Sequence, residues 1–244
     1  MVAITFPSGD QTLREIDKIL VEKNRAEPRR KYLGSSSIGD SCSRKLWYRL
    51  HTDHREEFDA ATLRRFNDGH RSEDVMADHL RMVPGVELWT QAPGGYQFGF
   101  EDTSLGPLPL SGHYDGIIYG ILEAPKTYHI WEHKSVNEKK FAELKKMKEI
   151  NEKTALQTWD KVYYAQAIQY MDYEELDRHY LTVSTPGMRD YTSVRTDANP
   201  EFAEGLKAKA KRIINATEPP ERIGGPDWFE CRWCSFHSVC HGGK

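Results

Sequence analysis

The chain has 244 residues, of which 38% are hydrophobic and 29% charged, and its mean hydropathy is -0.71. That length suits one sizeable core with an appended subdomain, and the composition excludes a disordered chain. No apolar run approaches the roughly 18 residues that span a bilayer, and the start MVAITFPSGDQ lacks the charged-then-apolar layout of a signal peptide, so a cytoplasmic location without a membrane partner is expected. A net charge of -3 and a pI near 6.4 exclude a global positive field, so any contact with nucleic acid must be local.

Residues 10–23 place Leu13, Ile16, Ile19 and Leu20 at helical spacing with Asp10 as N-cap. A polar loop around Gly34 to Asp40 precedes a short helix over Arg44 to Leu50. The spacing of Leu63, Phe66, His70, Glu73, Ala77 and Leu80 predicts a long helix over Asp59 to Met82 with that stripe turned inward. After Pro84 the period changes to two: Val86 and Leu88, then Tyr96, Phe98 and Phe100, read as strands, followed by strands over Leu110 to Tyr119 and Tyr128 to Val136 joined as a hairpin. Helices are expected over Glu138 to Ile150 and Leu156 to Tyr173, and an antiparallel pair over His179 to Thr185 and Tyr191 to Thr196. A last helix carries Phe202, Leu206, Ala210, Ile213 and Ile214 on one face and lysines on the other. This order argues for an α/β (α+β) fold, a mixed central sheet flanked by helices.

Three acids and a lysine stand out. On the strand Trp131-Glu132-His133-Lys134, Glu132 and Lys134 face the same way because side chains two apart share a face. A hairpin turn centred between Glu123 and Ala124 sets Asp115 directly opposite Glu132, with Cβ atoms about 4.5–5.5 Å apart. Two carboxylates that close repel unless a proton or cation sits between them, and a hard divalent ion such as Mg²⁺ takes oxygen ligands. Glu73 adds a third acid, on a stripe where an unpaired carboxylate would be costly to bury. His70, one turn earlier, reads as a core histidine.

The series Gly69-x-x-x-Glu73, Gly112-His113-Tyr114-Asp115-Gly116, Glu132-His133-Lys134 and Gln166-x-x-x-Tyr170, in this order, resembles the motifs of RecB-like nucleases of the PD-(D/E)XK superfamily over most of residues 65–170. The resemblance implies a restriction-endonuclease-like core in which Asp115, Glu132 and the backbone carbonyl of His133 bind Mg²⁺ or Mn²⁺, with Glu73 completing the site. It also implies that Lys134 positions or activates the attacking water, while Gln166 and Tyr170, one helical turn apart, organise the site. Two positions depart from the common pattern: many relatives carry histidine where Glu73 stands, and Tyr114 replaces the motif's proline.

All four cysteines fall into one arrangement, Cys42 near the start and Cys231-x-x-Cys234 with Cys240 near the end. In a cytoplasmic chain that grouping argues for metal rather than disulfides. Four thiolates hold either zinc or a cubane cluster, and His237 and His241 keep a mixed zinc site open. The layout is similar to that of iron-sulfur RecB-like nucleases, including AddB-type subunits and CRISPR-associated exonucleases, which implies a 4Fe-4S cluster. Such a group would cross-link distant segments, a contribution on the order of 5 kcal/mol. The expected division is residues 1–58 contributing Cys42, 59–200 as nuclease core and 201–244 closing the iron-sulfur subdomain.

The function implied is a metal-dependent exonuclease acting on DNA ends, chiefly single strands, in recombination, repair, phage replication or CRISPR-type processing, with protein partners from such systems. The alternatives are a nuclease-fold DNA-binding module that does not cleave and a zinc-stabilised endonuclease. Arg29, Arg30 and Lys31, and the lysine-rich segments over Lys139 to Lys148 and Lys207 to Arg212, are candidate nucleic-acid patches, each taken alone a solvated face by default, and the two lysine-rich helices are candidate strand contacts. Trp47, Tyr48 and Trp159 could stack on bases, though ordinary packing is the better expectation for them.

Overall fold

The computed structural model describes residues 10–242; the opening segment read above for a signal peptide lies, up to Gly9, outside the described residues. Helix α1 (Gln11–Ala26) begins without the expected cap, since Asp10 is left-handed at φ 55° and its carboxylate makes no cap bond. Its stripe is not core either: Leu13, Ile16 and Ile19 are exposed. Strand β1 (Leu33–Gly34) is followed by α2 (Ser43–His51), whose first turn is capped by Cys42 Sγ accepting from Lys45 N–H at 3.4 Å. Helix α3 (Ala60–Arg81) starts where Asp59 accepts from Thr62 N–H, an acid cap of the expected kind.

Strands β2 (Glu87–Trp89), β3 (Gly99–Asp102), β4 (Leu110–His113), β5 (Gly116–Tyr119) and β6 (His129–Ser135) follow. The single strand expected over Leu110 to Tyr119 is two, broken at Tyr114-Asp115, because β4 and β5 belong to different sheets. Helix α4 (Glu138–Trp159) runs past the expected end at Ile150 but carries a non-helical residue, Asn151, whose side chain accepts from Lys153 N–H and restarts the helix. Asp160 then caps α5 (Lys161–Tyr173) through Val162 and Tyr163 N–H, dividing what the sequence presents as one helix from Leu156. Strands β7 (Arg178–Ser184) and β8 (Tyr191–Asp197), helix α6 (Pro200–Asn215) and the short helices α7 (Phe229–Arg232) and α8 (His237–His241) complete the order.

Two mixed sheets result rather than one. The larger has the order β2-β5-β6-β7-β8 and is antiparallel except between β6 and β7; the smaller is β1-β4-β3 with β1 and β4 parallel. Strand β6 is buried on both faces, as a parallel-paired central strand must be. One face packs Ile130, Leu181, Val183 and Val194 against Leu144, Leu156, Tyr164 and Ile168 of α4 and α5. The other packs Trp131, Ile118 and Tyr180 against Met76 and Ala77 of α3. A third cluster joins Leu33, Ile38, Leu46 and Leu50 to Leu206, Ala210 and Ile213, closing the N-terminal segment onto α6. Among the described residues no helix is long and apolar enough to cross a membrane.

Leu144 is fully buried and Leu13 is 58% exposed. Leu144→Ala is expected to cost about 2–5 kcal/mol in urea unfolding, and Leu13→Ala no more than about 0.5 kcal/mol; equal losses would contradict this assignment of core and surface.

Candidate active site

The β5–β6 hairpin pairs Gly116 with Trp131 and Ile117 with Ile130, the register expected from the sequence, and the paired ladder stops there, with Asp115 in the break next to it. The strand break after Tyr114 turns Asp115 toward the next strand, where its Oδ2 accepts from the backbone N–H of His133 at 2.8 Å. Glu132 is buried, and its Oε2 accepts from Lys134 Nζ at 2.5 Å. Its Oε1 is buried with no hydrogen-bond partner.

Glu73 comes from α3 and is half-buried, within reach of the Asp115 and Lys134 charges. The helix is rolled so that Ser72, Met76 and Ala77 carry the contact with the sheet, which leaves Glu73 at the rim. His70 correspondingly is no core histidine: its side chain is 79% exposed, with Nδ1 4.0 Å from Glu73 Oε2. Burial, and then the charge of Asp115, push the Glu73 carboxyl up to about 7. Burial, then Asp115, likewise raise the Glu132 carboxyl above its usual range. Burial alone would lower Lys134, but Glu132 and Asp115 outweigh it and hold the ammonium protonated. Glu73, Asp115 and Glu132 thus feel one another's charge and that of Lys134; among the described residues no three of these acids stand at metal-holding separation, and the buried Glu132 oxygen without a donor is the group that a hard divalent ion would satisfy.

The His133 ring points to the opposite face of β6. Thr182 Oγ1 donates to the Glu132 carbonyl, so its contact with His133 Nδ1 at 3.0 Å makes that nitrogen the donor; Ser184 Oγ then donates to Nε2 at 3.1 Å. This fixes a neutral ring, in keeping with burial and the nearby Lys134 charge depressing its pKa to about 4.

Gln166 and Tyr170 act on the backbone ahead of Asp115. Tyr170 OH donates to the His113 carbonyl at 2.6 Å and accepts from Gln166 Nε2 at 2.8 Å. Gly112 allows this approach, since a Cβ there would lie 2.6 Å from Tyr170 Cε1 and 2.7 Å from Ser35 Cβ. Three neighbours escaped the sequence reading. Tyr163 places its ring 5.7 Å from Lys134 Nζ, and Ser35 donates to Gln169 Oε1 at 2.6 Å. Tyr163 precedes Gln166 by three and Tyr170 by seven, a helical period that would have found it.

Part of each lysine-rich face is committed to the fold. Lys207 pairs with Asp172, Lys209 donates to the carbonyls of Ile38 and Asp40, and Lys140 pairs with Asp160 over the rings of Trp159 and Tyr163. The three aromatics pack as ordinary side chains. Trp47 donates to the Ala216 carbonyl, Trp159 to that of Lys140, and Tyr48 stacks on Phe236.

Cys42, Cys231, Cys234 and Cys240 line one cavity of about 760 Å³ and form no disulfide. Arg44, which donates to the Pro219 and Pro220 carbonyls, and Trp47 tie the two segments together there. Among the described residues no three His, Cys, Asp or Glu side chains already stand at metal-holding separation.

The family model for the PD-(D/E)XK nuclease superfamily matches residues 11–241. Among solved structures, SSO0001 is similar at 15% identity over 96% of this chain and 98% of that one, with a TM-score of 0.50. The alkaline exonuclease LHK-Exo from Laribacter hongkongensis is similar at 12% identity over 81% of this chain and 90% of that one, also at 0.50. At these identities the likeness is one of fold. No curated protein sequence matches.

In protein kept free of divalent ions, the raised Glu73 carboxyl has a pH signature. A folded-state pKa near 7 against an ordinary 4.5 means that ionisation costs stability as pH rises through that window. The parent is expected to gain stability relative to Glu73→Gln as pH falls from about 7 to 4.5, read from urea midpoints; parallel pH profiles would refute it.

Proposed function

The chain belongs to the PD-(D/E)XK nuclease superfamily, and from that premise we propose that it is a deoxyribonuclease of RecB-like type that hydrolyses phosphodiester bonds from DNA ends. The observation that carries this reading is the buried Glu132, one oxygen on Lys134 and the other without a partner, within reach of the Asp115 charge. A scaffold that had lost catalysis would have no use for so costly an arrangement.

Asp115, Glu132 and the His133 carbonyl would hold Mg²⁺ or Mn²⁺, with Glu73 completing the set. When bound, the ion supplies Lewis-acid charge to the scissile phosphate and lowers the pKa of the attacking water. Lys134, held as a cation beside Glu132, orients that water and offsets charge developing on the phosphate. Gln166 and Tyr170 hold the His113 carbonyl, and through it the backbone that presents Asp115. Residues 59–200 form the nuclease core in this reading. The segments before and after it would be joined by a 4Fe-4S cluster on Cys42, Cys231, Cys234 and Cys240, a structural role supported by their shared cavity and donor chemistry. An end-directed activity accords with the exonuclease among the structural neighbours.

With end-labelled linear DNA and Mg²⁺, Lys134→Ala is expected to lower cleavage by roughly 10²-fold or more while retaining DNA binding. A parent protein with no cleavage would defeat the enzyme reading, and circular DNA cut as fast as linear would make it an endonuclease. Anaerobically purified protein is expected to be brown and to lose its visible absorbance in Cys231→Ser; a colourless, zinc-loaded parent would overturn the cluster.

A further inference from the structure

The first part of the stripe that the sequence presents as a core face, Leu63, Phe66 and His70, borders a groove. Leu63, Phe66 and His70 line a cleft of about 700 Å³ between α3, α1 and the segment that leads into β1. Side chains at these spacings share one face of a helix, so the groove runs along α3 toward Glu73. Its other end of contact with the site is the Gly34–Ser37 segment. Ser36 and Ser37 line the groove, while Ser35 beside them meets Gln169 and the Gly112 position against which Tyr170 packs.

The lining is basic and aromatic in a chain of net charge -3. Five basic side chains and two acidic ones border it. Three of the five are anchored: Arg29 on Asp53 and two carbonyls, Arg49 on Glu56, and Arg55 on the carbonyls of Arg25 and Glu27. Arg30 differs. It is exposed, lies 5.9 Å from the Tyr32 ring and pairs with no carboxylate among the described residues. Phe66 is 47% exposed, braced edge-on by Phe58 at 5.2 Å. A cation beside one aromatic ring and a second, exposed ring along the same groove match a strand whose phosphates and bases are both accessible. Bases inside a duplex offer no free face to Tyr32 or Phe66.

We propose that this groove carries an unpaired DNA strand to or from the active site, with Arg30 on a phosphate and Tyr32 and Phe66 stacked on bases. The assignment rests on the nuclease reading for its ligand but not for its test. Binding of a fluorescent oligo(dT) is measured by anisotropy in EDTA, where cleavage is silenced, across a range of salt concentrations. Phe66→Ala is expected to weaken binding roughly tenfold, one stacked base. Arg30→Ala is expected to weaken it and to reduce the salt slope by about 1. Arg30 is exposed, so that variant keeps its fold even if Phe66→Ala loosens α3, and matched circular dichroism checks both. Parent-like binding and salt slope in both variants, or duplex bound as tightly as single strand, would overturn the groove. A parent that binds through the groove yet cleaves nothing would remove the hydrolase and leave the strand path standing.

Discussion

Asp115, in the break just before β5, and Glu132 on β6 are brought near each other by one hairpin, and their mutual repulsion is the constraint around which the site is built. Left to itself, such a pair would protonate or splay apart. Several features resist the splaying. Asp115 is tied to the next strand by the His133 N–H, and Glu132 is held by Lys134 within a buried surround. The backbone just before Asp115 is fixed by Tyr170 through the His113 carbonyl. What the protein leaves uncompensated is charge, and a divalent ion is the species of the right sign and hardness to supply it.

The fold explains how that charge can be kept out of water. Strand β6 lies between two apolar layers, α4 and α5 on one side and α3 on the other, so Glu132 and Lys134 project from a strand with no solvated face along most of its length. His133 projects the other way, kept neutral by burial and the Lys134 charge and held in one tautomer by Thr182 and Ser184, so no second charge lies beneath the site. The break between β4 and β5 is equally purposeful. A continuous strand would carry Asp115 along in one sheet; a strand that changes sheets re-aims it, as irregularities near active sites commonly do.

Much of this was legible in the chain itself, because strand periodicity and turn position are local. The hairpin centred between Glu123 and Ala124 yields the observed register, and the alternation around Glu132 puts Lys134 on its face. What escaped depends on tertiary choice. The spacing of Leu63, Phe66, His70 and Glu73 is a true helical stripe, but a stripe does not say whether it meets a sheet or a groove. The sheet takes the second half of the expected stripe, Ala77 and Leu80, together with Met76, while Phe66 and His70 are left exposed. Likewise α1 is amphipathic by sequence yet exposes Leu13 and Ile16, and the Asp10 cap fails because the residue turns left-handed. The Asp115-Gly116 dipeptide is a turn signal at the β4–β5 break, but the alternation running through Tyr114, itself buried as a core residue, masks it.

The distribution of positive charge follows the same logic of commitment. Lysine-rich helix faces catch the eye in a sequence, yet Lys140, Lys207 and Lys209 are bound to acids, carbonyls and rings of their own fold. A cation already paired gives up a partner to bind a phosphate, and the exchange gains little. Arg30 has no such partner to surrender, and it stands on a groove that α3 extends toward Glu73. For an acidic chain that must hold a polyanion, a few unspent cations along one cleft do more than many spent ones spread over the surface, because only the former add field where the strand lies.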